Sequence, residues 1–133
     1  MSRQLTVYAD TSAMATLLLG QPRAPELLEW LNSSGARLVS SDLLETEMRR
    51  VGFREDLPQA EVSAILDGVT LFALDRTVFT GAGLLPMPYL RSLDALHLQA
   101  ALMLSADALL TYDRRLADAA HAVGLRTLAP GEE

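Results

Sequence analysis

Leu5-Thr6-Val7-Tyr8-Ala9-Asp10-Thr11-Ser12-Ala13-Met14 is the stretch on which the fold turns. A β-prone run ends at an acid, and a helix-forming run through Leu19 follows at once. That is a strand turning directly into a helix. The alternation recurs down the chain. Further strands are expected at Arg37–Ser40, Val69–Leu74, Ala108–Thr111 and Arg126–Leu128. Helices are expected near Ser12–Leu19, Pro25–Asn32, Asp42–Phe53, Pro58–Leu66, Arg76–Gly83, Ser92–Ser105 and Arg114–Val123. Such alternation predicts an α/β fold, a largely parallel sheet with helices on both faces. In the sixth helix Leu93, Leu96, His97, Ala100, Ala101 and Leu104 form one apolar stripe, with Ser92 as its N-cap. Leu84 and Leu85, in the Gly- and Pro-rich loop before it, need a cover.

The chain has 133 residues, 50% of them hydrophobic and 21% charged. That is the size and make-up of a single globular domain, residues 1–133. Cysteine is absent, so there is no disulfide framework and no thiolate site. No apolar run approaches the ~20 residues a membrane-spanning helix needs. Met1–Gln4 do not open a signal-type segment. A soluble, cytoplasmic protein is expected. The formal net charge is -6, and all eleven basic residues are arginine. This excludes a protein that holds nucleic acid through a broad positive face. It leaves open an enzyme that meets phosphate through a metal ion.

In an open α/β sheet, ligands sit beyond the C-terminal ends of the strands. The acids there are Asp10, Asp42, Glu45, Asp75 and Asp113, and Asp94 opens the sixth helix. Carboxylates gathered from separate strands repel one another, and a hard cation such as Mg²⁺ or Mn²⁺ relieves the repulsion. An ion so held suits metal-assisted hydrolysis of a phosphodiester. Each acid alone has a plainer role. Asp10 and Asp113 suit helix N-caps, Asp42 with Glu45 has the spacing of a capping box, and Asp94 favours a helix N-terminus for its dipole. His97, on the apolar stripe without a second His or Cys at ligand spacing, reads as a buried, satisfied histidine, and His121 as solvated. Ser12 and Thr111 suit either capping or orienting an acid. Arg49, Arg50, Arg91, Arg114 and Arg115 lie nearest the acids, and one or two of them are candidates to position a phosphate backbone. Met14, Leu17, Leu18, Leu27, Leu28, Trp30 and Leu31 read as core, with a groove for a partner helix as the second reading.

Four segments carry a resemblance: Tyr8-Ala9-Asp10-Thr11-Ser12-Ala13, Ser41-Asp42-Leu43-Leu44-Glu45, Leu93-Asp94-Ala95-Leu96-His97-Leu98, and Leu110-Thr111-Tyr112-Asp113-Arg114-Arg115-Leu116. In this order they resemble the acidic motifs of the PIN domain, and more narrowly of VapC toxins from type II toxin–antitoxin pairs. The resemblance implies a three-layer α/β/α fold with a five-stranded sheet of order 3-2-1-4-5. It implies Asp10, Glu45, Asp94 and Asp113 as the catalytic and metal-binding acids, supported by Ser12 and Thr111, with Asp118 an alternative or helper to Asp113. It implies a Mg²⁺-dependent endoribonuclease (Mn²⁺ the alternative ion) with Arg49, Arg114 and Arg115 as candidates for RNA contact. It further implies a cognate VapB-like antitoxin, and a homodimer or a toxin–antitoxin hetero-oligomer. Two other readings compete. One is a catalytically silent interaction module. The other is an Asp-based phosphoryl-transfer domain, which is disfavoured because such domains rely on a Lys and the chain has none.

Overall fold

A computed structural model describes residues 3–132 of the chain. Twelve elements alternate as expected. They are β1 (Thr6–Ala9), α1 (Thr11–Leu19), α2 (Ala24–Ser34), β2 (Arg37–Ser41), α3 (Asp42–Arg54), α4 (Gln59–Leu66), β3 (Thr70–Phe72), α5 (Arg76–Gly83), α6 (Ser92–Met103), β4 (Ala108–Leu110), α7 (Arg114–Ala122) and β5 (Arg126–Leu128). The sheet runs β3-β2-β1-β4-β5, with all four pairings parallel. Val7 of central β1 faces Leu38 on one side and Ala108 on the other. Among the described residues no helix is long and apolar enough to cross a membrane.

Successive side chains of a strand point to opposite faces, so the central strands feed two cores. Val7, Ala9, Ala108 and Leu110 pack with Met14, Leu27, Leu44, Met48 and Val62 from α1 to α4. Tyr8, Val39 and Leu109 pack with Val78, Leu98, Ala101, Leu116 and Ala120 from α5, α6 and α7. Both faces of β1 are therefore covered, and Val7, Tyr8 and Ala9 are fully buried. This is why the central strands read as continuous apolar runs.

The differences from expectation have local causes. The outer strand foreseen over 69–74 is hydrogen-bonded only over Thr70–Phe72, because β3 has a single neighbour. α6 begins at Ser92 itself, so the cap position falls to Arg91, without a side-chain bond. Its buried positions are Ala95, His97, Leu98, Ala100 and Ala101, while Leu93 is exposed. The buried face is wider than a single stripe because α6 packs on both the sheet and α5. Asp42 and Glu45 form no capping box, since the cap residue of α3 is Ser41, which puts Glu45 one place too late. Leu28 and Leu84 are exposed, whereas Leu85 is packed against the second core.

Asp75 caps α5, accepting a hydrogen bond from Val78 N at 3.1 Å. Asp75→Ala is expected to cost about 1 kcal/mol of stability, read as a lower urea midpoint at unchanged slope.

Candidate active site

In the order 3-2-1-4-5 the chain leaves β1 toward one side of the sheet and later returns on the other. β1 and β4 therefore flank the point where ligand crevices form. Asp10 follows β1 and Thr111 follows β4, so the two side chains meet there. Asp10 is 3% exposed. It caps α1, with Oδ1 accepting from Ala13 N at 3.0 Å. Ser12 Oγ lies 2.8 and 2.9 Å from its two oxygens, and Thr111 Oγ1 donates to Oδ2 at 2.6 Å. Both hydroxyls also accept from the turn after β4, Ser12 from Tyr112 N and Thr111 from Asp113 N. Burial still pushes the Asp10 carboxyl above the ordinary range, against the pull of these bonds. Capping and site-building are here the same geometry: the cap fixes the carboxylate at the strand end.

α6 leads down into β4, so its N-terminus lies at the edge where the strands end. That brings in Asp94, half-buried in its first turn. Burial pushes its carboxyl up, and the charges of Asp113 and Glu47 push it further. His97 and Arg91 pull it only partly back. Asp113 caps α7 through Oδ1, which accepts from Leu116 N at 3.0 Å.

α3 brings Glu47, not Glu45, against Thr11 and His97. Glu45 is exposed and its carboxylate lies 3.5 Å from Arg49 Nε. Glu47 is partly buried, and its Oε1 accepts from Thr11 Oγ1 at 2.7 Å and from His97 Nε2 at 2.6 Å. Burial would raise the Glu47 carboxyl, but the bond and charge of His97 and the bond from Thr11 hold it below the ordinary range. The two glutamates stand about 200° apart on the helix. They occupy opposite flanks of the buried Leu44-Met48-Val51 stripe, so the apolar pattern could not choose between them. Thr11 and His97 were the signal available, polar residues within two adjoining acidic motifs.

Other expected contributors fall elsewhere. Arg49 donates to Gln59 O, Gln59 Oε1 and Ser63 Oγ, which fastens α3 to α4. Arg114 and Arg115 are exposed beside Asp113, while Asp118 is exposed one turn further along α7. His97 is buried and hydrogen-bonded, as expected, and His121 is exposed, bonded to Thr127 Oγ1 at 2.7 Å.

The donor set fits a hard divalent ion. It is all-carboxylate and partly dry, and the charges of Asp113 and Glu47 raise the proton affinity of Asp94. Among the described residues no three His, Asp or Glu side chains form a ready-made cage. Mg²⁺ does not require one: it commonly keeps several waters and takes one or two carboxylates plus substrate phosphate.

Comparison with known proteins agrees with this geometry. The chain matches the PIN domain over residues 7–122. It is 36% identical to Ribonuclease VapC47 of Mycobacterium tuberculosis over 132 residues, 94% of this chain and 97% of that one. Among solved structures it superposes on M. tuberculosis VapC20, described as a sarcin–ricin loop cleaving toxin, with TM-score 0.75 at 17% identity, covering 93% and 99% of the two chains. A toxin–antitoxin complex from Klebsiella pneumoniae gives TM-score 0.74 at 16% identity, covering 96% and 99%. With nearly the whole chain matched and the acids gathered at the edge where the strands end, the protein belongs to the PIN-domain family.

Proposed function

We propose that the protein is a divalent-metal-dependent endoribonuclease, the toxin of a toxin–antitoxin pair, acting through Asp10, Glu47, Asp94 and Asp113. The observation that carries this is Asp94: its carboxyl is held above the ordinary range by burial and by the charges of Asp113 and Glu47. Acids drawn from α3, α6 and the cap of α7 thus act on one another, with only His97 and Arg91 to offset them. The VapC ribonuclease relative supports the reaction, and the toxin–antitoxin neighbour supports a VapB-like antitoxin as partner. The family resemblance supports a homodimer or a hetero-oligomer with that antitoxin.

Asp10, Asp94 and Asp113 would hold the ion, with Glu47 bound directly or through water. The ion supplies Lewis acidity toward a phosphoryl oxygen and acidifies water near neutral pH. Ser12 and Thr111 orient Asp10 by donating to it, which spares the remaining lone pairs of its oxygens. Glu47, kept ionised by its two donors, is the group able to accept a proton from attacking water. Arg114 and Arg115 lie free on the surface beside Asp113 and are candidates to meet the backbone of RNA. A crevice at a strand edge admits splayed single strands or loops more readily than an A-form duplex.

The direct test is cleavage of single-stranded RNA by the pure protein. Activity is expected with Mg²⁺, to stop in excess EDTA, and to return on adding Mg²⁺ back; cleavage that persists in EDTA would refute the reading. Folding gives a second readout. Asp10 and Asp94 bind protons more tightly folded than unfolded. Each therefore costs stability as pH rises past the unfolded carboxyl range, and the cost is complete above the folded value. Glu47 runs the other way: its stabilisation is present above its unfolded value and fades as pH falls through the lowered one. A divalent ion that binds only the native state stabilises it by about 2.7 kcal/mol at a hundredfold excess over Kd. Mg²⁺ or Mn²⁺ is thus expected to raise Tm at pH 7, with the rise shrinking as the pH approaches 4 and protons displace the ion. An equal rise at pH 4 and pH 7 would place the ion elsewhere.

A further inference from the structure

Beneath the acids lies a chain of buried polar groups that the reaction itself does not use. Ser41 Oγ lies 2.9 Å from Tyr8 OH, Tyr8 OH lies 2.8 Å from His97 Nδ1, and His97 Nε2 lies 2.6 Å from Glu47 Oε1. Ser41, Tyr8 and His97 are at most 2% exposed. The Tyr8 and His97 rings meet edge-on, with centroids 5.7 Å apart at 71°. Ser41 stands at the cap position of α3 yet makes no side-chain cap bond, its hydroxyl being engaged with Tyr8 instead.

We infer that His97 is a positioning residue for Glu47, with its orientation set by Tyr8. The inference rests on the reading of Glu47 as a member of the metal-assisted site. An ionised carboxylate only accepts hydrogen bonds, so Nε2 must carry the proton. Tyr8 OH donates to Ser41 Oγ, and its oxygen meets Nδ1 on the other side, so the ring is held at both nitrogens. Both bonds to Glu47, from His97 and Thr11, land on Oε1. Oε2 has no hydrogen-bond partner among the described residues, so the clamp holds one oxygen and leaves the other toward the ion or its water. A histidine present only to fill space needs neither this tautomer nor a carboxylate at 2.6 Å.

The experiment compares wild type with His97→Gln, His97→Asn and Tyr8→Phe. Gln places its amide nitrogen near the position of Nε2 and keeps a donor for Glu47, whereas Asn reaches only as far as Nδ1. The first readout is Mn²⁺ binding to metal-free protein by calorimetry. The second is the ¹⁵N spectrum of the imidazole, and the third is kcat and KM on a single-stranded RNA. Removing a group that orients a metal-site residue typically lowers affinity or activity by about 10- to 100-fold. His97→Asn is expected to lose that much in Mn²⁺ affinity and kcat with KM little changed. His97→Gln should recover most of it, and the wild-type spectrum should show the proton on Nε2. Where His97→Asn does not fold, Tyr8→Phe decides. It keeps the ring volume but removes the hydroxyl that meets Nδ1, so a changed imidazole ¹⁵N spectrum and a several-fold weaker Mn²⁺ affinity are expected. A folded His97→Asn with wild-type affinity and kcat overturns the inference and leaves the nuclease reading intact, as does Tyr8→Phe with a changed imidazole spectrum and unaltered affinity. Wild-type protein that neither binds Mn²⁺ nor cuts RNA overturns both.

Discussion

Asp94→Asn is expected to lower kcat for RNA cleavage by at least about 10³-fold at saturating Mg²⁺, equivalent to about 4 kcal/mol of transition-state stabilisation. Asn is nearly isosteric and keeps the helix start intact, so the loss reports charge. Asp94 feels Asp113 and Glu47 as like charges and has only Arg91 and His97 to offset them. Neutralising it removes both a ligand and much of the reason for an ion to bind there. The same change has an opposite effect on folding. A carboxyl whose folded value is raised disfavours the native state at pH 7, so the metal-free variant is expected to melt above the metal-free wild type. Its Tm should also respond less to Mg²⁺. Loss of activity together with a lower metal-free Tm would mean that Asp94 serves the fold, not the ion. Full activity would remove it from the site.

Glu47→Gln should cost on the order of 100-fold in kcat, while Glu45→Gln stays within about twofold of wild type, as is usual for a surface position. The two residues share a helix, a chemistry and a place among the acidic motifs, and differ only in what they face. Glu45 meets Arg49, itself fastened to α4, and this exposed pair contributes little. Glu47 meets Thr11 of α1 and His97 of α6, which bond one of its oxygens. The comparison is made on one RNA substrate, with circular dichroism to establish that both variants fold. The reverse ranking would return the site to Glu45 and break the link between His97 and catalysis.

Three of the four acids singled out in the sequence share one property. Asp10, Asp94 and Asp113 each lie at a junction between a strand or loop and a helix, where position along the chain is also position in space. Asp10 and Asp113 cap the helices that follow them. A cap residue has a fixed backbone shape and a fixed direction for its side chain, so a motif at a cap specifies geometry locally. Glu47 lies inside a helix, where local pattern fixes only an angle around the axis. The same gap hid the bonds by which Arg49 is anchored to Gln59 and Ser63 of α4. It also narrowed the buried face of α6, since periodicity shows a stripe but not how many neighbours will cover the helix.

The alternation of apolar strand and amphipathic helix, with turn residues between, determined the α/β class, and the run from Leu5 to Met14 determined where the first acid stands. The order of the five strands was carried by family likeness, since local pattern does not say which side of β1 a returning strand takes. Which glutamate of α3 meets Thr11 and His97 was decided by tertiary packing alone. It depends on Thr11 of α1 and His97 of α6 reaching Glu47 while Gln59 and Ser63 of α4 take up Arg49. That choice is made by burial of apolar surface on the far sides of those helices, to which the polar residues of the site contribute almost nothing.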